Sequence, residues 1–300
     1  MVKNIIRALR LPFISASTLP FIFGSLVVRG NFDFIAFACG LLTVACGHLS
    51  ANLINDYADS KSGADWQDRN FYGFFGGSKL IQDNVLSDKF YLKAAVTFGL
   101  VSGICVVILA AILRTLMVIW LYAGIIVLSW SYSAKPLQFS YRRWGEFFIF
   151  ILFGPVPVMA GYFIQTGIFP DLKSFILSLP FGFLTTAILF SNEVPDFLDD
   201  KRSGKFNWVG ILGPQRAFLI YYLLIGLAFL SVLLGVILGY LGAWAIFSFA
   251  CIIPAHKAAV ILRKYPFDKM RMVESSRLTI AVQSLASLVL ILGAIIWPRF

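Results

Sequence analysis

Charge is scarce in this chain. Only 13% of its 300 residues are Asp, Glu, Lys or Arg, and 59% are hydrophobic. Soluble domains carry roughly 25% charged residues, so a water-soluble globular domain is excluded. Cysteine is scarce too. Cys39, Cys46, Cys105 and Cys251 all fall in apolar runs without CxxC or Cys/His spacing, which argues against zinc and leaves them as small packing residues. His48 is read as a lone hydrogen-bonded histidine. A GxxxxGK[ST] loop is missing, because Gly76-Gly77-Ser78-Lys79 has the wrong spacing, so ATP or GTP binding is not expected. A clear small-x-small cleavage site is missing from the first 30 residues as well. The amphipathic lead-in with Arg7 and Arg10, followed by Pro12, reads as an interfacial anchor before a retained first helix.

Long apolar runs are abundant. Stretches of about 17–25 residues, enough to cross a bilayer as helix, occur near 12–28, 33–54, 91–112, 115–133, 147–165, 174–191, 217–236, 238–255 and 279–297. The expectation is an all-α, polytopic membrane protein with about nine transmembrane helices, as a single domain over 1–300. With the N-terminus inside, only Arg29, Arg114, Lys173 and Arg299 of the 25 Lys and Arg residues fall outside. The positive-inside rule then orients the chain in the cell membrane with its polar loops on the cytoplasmic side. The net charge of +10 is thereby an orientation signal with affinity for the lipid bilayer, and no nucleic acid partner is expected.

The few acids are unevenly spread. Ten of the 15 acidic residues lie between Asp56 and Asp88 or between Glu193 and Asp200. His48, Asn52, Asn55, Asp56 and Asp59 recur at helical steps along one face. Asn192, Asp196 and Asp200 repeat the pattern at the end of another apolar run, where Pro195 is expected to bend the helix. Ionisable groups on the inner face of a membrane helix are expensive and usually functional. Carboxylates and Asn amides are hard oxygen donors, suited to Mg²⁺ held jointly by protein and substrate phosphates. Two such clusters facing each other would neutralise a diphosphate as it leaves carbon. The loop after Asp59, with glycines among Phe71, Tyr72, Phe74 and Phe75, reads as a mobile segment on the membrane surface that covers a site. Two prolines in Gly154-Pro155-Val156-Pro157 break the fifth span and leave an irregular wall inside the bundle. The basic stretch from His256 to Arg277 reads as a lipid-surface anchor without a site.

Asn55-Asp56-Tyr57-Ala58-Asp59 with Gly63 and Asp65, together with Asn192-Glu193-Val194-Pro195-Asp196-Phe197-Leu198-Asp199-Asp200-Lys201, resembles the paired Asp-rich motifs of the UbiA-type intramembrane prenyltransferases. Tyr132-Ser133-Ala134, Tyr141-Arg142, Gly145-Glu146, Phe153-Gly154-Pro155 and Gln165-Thr166-Gly167 resemble its 1,4-dihydroxy-2-naphthoate polyprenyltransferase branch. The resemblance spans roughly residues 7 to 297. It implies nine helices around a central cavity and Mg²⁺-dependent transfer of a prenyl group from an isoprenoid diphosphate to an aromatic acceptor, most simply a naphthoate on the way to menaquinone.

By the same resemblance Asp59, Asp196 and Asp200 are the catalytic candidates. Asn55, Asp56, Asp59, Asp65, Asn192, Asp196 and Asp200 are the metal candidates. Asn55, Asn192, Lys79, Lys135, Tyr132, Tyr141, Arg142 and Lys201 are the substrate-binding candidates. Lys135 lies three residues after Tyr132, not at the fourth position of the Tyr-x-x-x-Lys element of other branches, where Pro136 stands. Lys79 and Arg142 are expected to meet the diphosphate, and Lys264 and Arg271 are not. The rival readings are another acceptor, such as a hydroxybenzoate, a chlorin or glyceryl phosphate, and a cation-coupled transporter. Transporters place such acids near the bilayer midplane on broken helices, whereas these acids end helices.

Overall fold

The computed structural model describes residues 2–28, 30–63, 66 and 68–296, and every named element is helical. The helices are α1 (Val2–Leu9), α2 (Ser15–Leu26), α3 (Phe34–Ser62), α4 (Asp88–Leu113), α5 (Met117–Ser131), α6 (Gly145–Phe153), α7 (Pro155–Thr166), α8 (Leu172–Arg202), α9 (Val209–Leu212), α10 (Ala217–Ile237), α11 (Ile252–Lys264) and α12 (Lys269–Ile296). The 3₁₀ segment Ala243–Cys251 leads into α11.

Local signals place the long helices. Asp33, Ser87 and Asp171 cap α3, α4 and α8, accepting the amides of Ala36 at 2.9 Å, Phe90 at 3.1 Å and Ser174 at 2.7 Å. Each cap satisfies an amide that the helix cannot bond internally. Gly63, at φ 89°, ends α3. Pro155 opens α7 after the break at Gly154, as two prolines in the fifth span require. Pro195 does not end α8, which runs on to Arg202. The acidic repeat therefore stays in helical register.

Among the described residues, seven helical segments are long and apolar enough to cross a membrane, or eight if α1 and the segment Leu11–Leu26, bent by 41°, form one span. This polytopic all-α architecture is the expected one, but nine full spans are not reached. Where the fourth was expected stands α5, with 15 residues, or about 22 Å of helix against roughly 30 Å of hydrocarbon. The eighth expected span is shifted. Gly239 turns the chain at φ 70°, and the apolar helical segment covers Ala243–Lys264. The last helix begins at Lys269, well before the expected 279. Basic residues do not break a helix, so charge was a poor guide to these two boundaries.

α8 is the innermost helix, with 72% of its apolar window buried, and it packs on α10, α12, α6 and α7. α2 lies against α7 closely enough that glycine is required. A Cβ at Gly24 would sit 2.1 Å from the Val158 carbonyl oxygen, and one at Gly161 2.4 Å from that of Phe21. Gly161→Val is therefore expected to destabilise by about 1–3 kcal/mol, the usual cost of overpacking, and to lower the thermal midpoint in detergent by several degrees. Gly226→Ala, where nothing lies within 4 Å of the added carbon, should leave it unchanged or raise it. Equal midpoints for the two variants would disprove the close approach.

Candidate functional site

One cavity of about 540 Å³ runs into the bundle. Its back is apolar, walled by Val44, Leu121, Ile125, Phe153, Met159 and Ile164, and its mouth is lined by Asn55, Asp59, Asn192, Asp196, Asp199 and Asp200. The two acid-bearing helix ends, 120 or more residues apart in sequence, thus face one space. Asp65 lies outside the described residues.

Contacts across the mouth join the two ends. Asn55 Nδ2 donates to Ser133 Oγ at 2.6 Å and to Asp59 Oδ2 at 3.3 Å, and Tyr141 Oη donates to Asp59 Oδ1 at 2.8 Å. The Tyr141 ring lies 5.9 Å from Lys205 Nζ, and Lys205 Nζ is 3.6 Å from Asp200 Oδ1. A short parallel bridge, Arg142 to Phe206, sets Tyr141 and Lys205 side by side. Burial opposes the charge on Lys205, but the Asp200 and Asp59 carboxylates overcome it and hold the ammonium well above its ordinary value. Burial, then the Asp59 charge, push the Tyr141 phenol up.

Residues 68–87, between α3 and α4, form the roof. Phe75 is buried in a core with residues of α8 and α10 and stacks on Tyr72 at 4.9 Å, so this part of the segment is tucked into the bundle, while Phe71 stays exposed. Gly76, at φ 72°, turns its amide onto Asp196 Oδ2 at 2.8 Å, a conformation that glycine adopts without strain. Tyr72, Phe75 and Lys79 line the cavity. Phe71 covers Arg7 instead, at 3.8 Å.

Other expected site residues are not brought together. Asp56 is rotated by about 100° from Asn55, as successive helical residues must be, and is buried outside the cavity. It accepts the Ser78 amide at 3.2 Å, and Arg10 Nη1 lies 3.5 Å from it and 3.4 Å from Asn55 Oδ1, so it fastens the roof from behind the cavity wall that Asn55 and Asp59 line. Lys135, Arg142 and Lys201 are exposed and outside the cavity wall. Arg142 Nη2 donates to the Pro136 carbonyl at 2.9 Å. Tyr132 does line the cavity.

The cations that do line the mouth are Arg10, Lys79, Lys205 and Lys269. Lys269 belongs to the stretch read as a lipid anchor. Its Nζ lies 2.8 Å from Asp68 Oδ2, 2.7 Å from Asp199 Oδ2 and 3.9 Å from Asp196 Oδ1. Burial would raise the Asp68 carboxyl, but hydrogen bonds from Lys269, the Asn70 amide and Tyr72 bring it down to about 2. Glu146 and Glu193 were also missed. Glu146 is fully buried and accepts the Trp208 amide, and Glu193 lines the cavity.

Among the described residues no three His, Cys, Asp or Glu side chains already form a metal cluster. The donor chemistry nevertheless fits a hard cation, since every candidate is an oxygen ligand. Asn192 Oδ1 is a buried oxygen with no hydrogen-bond partner among the described residues, as a metal ligand without its ion would be.

Residues 17–272 match the UbiA prenyltransferase family. The chain is 26% identical over 231 residues to UbiA prenyltransferase domain-containing protein 1 of Xenopus tropicalis, covering 75% of this chain and 64% of that protein. It is also 26% identical over 233 residues to 1,4-dihydroxy-2-naphthoate octaprenyltransferase of Bacillus subtilis (strain 168), covering 77% and 73%. In fold it is similar to the apo structure of a UbiA homolog from Aeropyrum pernix K1, with TM-score 0.72, 16% identity and coverage of 95% and 98%. A UbiA homolog from Archaeoglobus fulgidus bound to GPP and Mg²⁺ gives TM-score 0.63, 17% identity and coverage of 97% and 98%. The family match takes in α3 and α8, whose acid-bearing ends line the cavity, and on that match the chain belongs to the UbiA prenyltransferase family.

Proposed function

We propose that this protein transfers a prenyl group, within the membrane, from an allylic isoprenoid diphosphate to an aromatic acceptor, and that the acceptor is 1,4-dihydroxy-2-naphthoate. The observation that carries the reading is one cavity with two oxygen-rich helix ends at its mouth and an apolar back. A diphosphate and a hydrocarbon chain require those two environments in that order.

Asn55, Asp59, Asn192, Asp196 and Asp200 would hold Mg²⁺ together with the diphosphate. When bound, the metal supplies positive charge against the leaving group. The chain's own groups do the remaining work. Lys79 and Lys205 supply fixed positive charge for phosphate oxygens that remain, and Arg10 supplies a planar fork. As the C1–O bond breaks, its electron pair leaves with the diphosphate, the acceptor ring carbon supplies the pair for the new bond to C1, and that carbon then sheds its proton, or CO₂ where it bears the carboxylate, so that the electron pair of the broken bond returns to the ring. Tyr72 and Phe75 offer aromatic faces to the allylic cation. The apolar back excludes water that would otherwise capture it.

The similarity to the Bacillus subtilis enzyme named for 1,4-dihydroxy-2-naphthoate supports that acceptor, and the positive-inside arrangement supports a mouth on the cytoplasmic face of the cell membrane. Purified protein given geranylgeranyl diphosphate, Mg²⁺ and a panel of naphthoate, hydroxybenzoate, chlorin and glyceryl phosphate acceptors should yield, by mass spectrometry, a prenylated naphthoate product in largest amount. Preference for another acceptor would overturn the naphthoate assignment, and no product with any of them would overturn the transferase reading.

A further inference from the structure

Lys269 stands at the first position of α12, the electrostatically wrong end for a cation, since a helix N-terminus already carries positive partial charge. Its location is explained by what it touches. Nζ bridges Asp68 of the roof and Asp199 of α8 at 2.8 and 2.7 Å, with Asp196 at 3.9 Å, and it lies 5.6 Å from the Tyr72 ring centre. Among the described residues one ammonium thus lies within ion-pair distance of three carboxylates from two segments, with Lys205 and Lys79 acting on Asp196 from farther away. Arg202 reaches Asp199 Oδ1 at 3.6 Å, but its side chain is 66% exposed and its charge is screened. Lys205 is arranged differently. Among the described residues it has Asp200 as its one acid at ion-pair distance, and the second oxygen of Asp200 is taken by Asn207 Nδ2 at 3.0 Å. Lys205 is the built-in partner, whereas Lys269 stands 3.9 Å from Asp196, the one of its three acids that belongs to the metal set above.

We propose that Lys269 is a tethered counter-cation of the donor site, seated on Asp68, Asp196 and Asp199 while no donor is bound and passed to the diphosphate when donor and metal enter together. This rests on the donor-site reading above. An ammonium next to Asp196 repels a bare divalent ion and stabilises the acids without it. A diphosphate brings its own negative charge, giving the ammonium a new partner as the acids turn to the metal. Metal and diphosphate therefore bind synergistically, and the lysine is the source of the coupling.

The test uses the full chain in lipid nanodiscs, with Mn²⁺ followed by electron paramagnetic resonance and inorganic pyrophosphate as the anion. Wild type should bind Mn²⁺ at least about tenfold more tightly with pyrophosphate than without it. Lys269→Met should bind Mn²⁺ alone about tenfold more tightly than wild type, and most of the pyrophosphate effect should vanish. Lys269→Arg, which keeps the charge, should behave as wild type. If the Met variant does not fold, Lys269→Gln serves, because it also removes the charge while retaining a polar end. A neutral variant whose Mn²⁺ affinity lies within twofold of wild type, with the pyrophosphate effect intact, overturns the proposal and leaves the donor site standing. Failure of wild type to bind Mn²⁺ even with pyrophosphate overturns the donor-site reading itself.

Discussion

Asp196→Ala and Asp59→Ala are each expected to lower prenyl transfer by about 100-fold or more while leaving a folded protein. Each carboxylate reaches the mouth from a different helix, Asp59 from α3 and Asp196 from α8, and each accepts a hydrogen bond from a surrounding loop. Tyr141 orients Asp59, and the Gly76 amide orients Asp196. Losing one electrostatic contact to a leaving group costs about 10²–10³ in rate in comparable cases, and loss of a metal ligand belongs in that range. Neither acid holds the bundle together, because both line a cavity and neither fills a core. The thermal midpoint in detergent should therefore stay within a few degrees of wild type. Product formation by mass spectrometry beside the unfolding curve checks both halves, and turnover within fivefold of wild type in either variant would remove that acid from the mechanism.

A donor with a saturated chain should turn over more than about 1,000-fold more slowly than its allylic counterpart. Among the described residues the cavity lining holds no cysteine, and its Ser–His pair, Ser17 and His48, stands about two turns of α3 before Asn55, away from the acid-bearing end. The histidine in the wall, His48, has Nδ1 held by Ser17 Oγ at 2.7 Å and its ring edge-on to Phe153 at 5.0 Å. Without a covalent route, C1 must develop positive charge as the diphosphate leaves, and only an allylic system spreads that charge over two carbons. A 1,000-fold gap corresponds to about 4 kcal/mol of barrier, modest for the difference between an allylic and a primary cation. Both donors share the diphosphate and the tail, so their binding should be similar and the difference should fall on kcat. Comparable kcat values for the two would require direct displacement and would end the carbocation reading.

The acid-bearing faces were legible because they are local. Asn55 and Asp59 sit four residues apart, as do Asn192, Asp196 and Asp200 in turn, and a helix puts such residues on one side whatever surrounds it. The break at Gly154 was legible for the same reason, since proline chemistry acts within one turn. Asp56 shows the limit of that reading. It is expected on the face of Asn55, yet one helical step puts it behind the cavity wall, where it accepts the Ser78 amide and shares Arg10 with Asn55. The helix ends at Lys264 and Lys269 were misplaced because charge marks where a chain meets water, not where its backbone hydrogen bonds stop.

By itself, the sequence determined an all-α membrane chain carrying two oxygen-rich helix ends, because composition and i to i+4 spacing are properties of the chain before it folds. Which cations meet those acids was decided by the tertiary structure alone. Lys135, Arg142 and Lys201 are near the motifs in sequence but point outward, while Lys269 lies 70 residues from Asp199 and 201 from Asp68 and touches both. A long flexible ammonium goes to whatever unpaired charge packing brings within its reach, and only the closure of α12 and the roof over α8 brings those three acids within reach of Lys269.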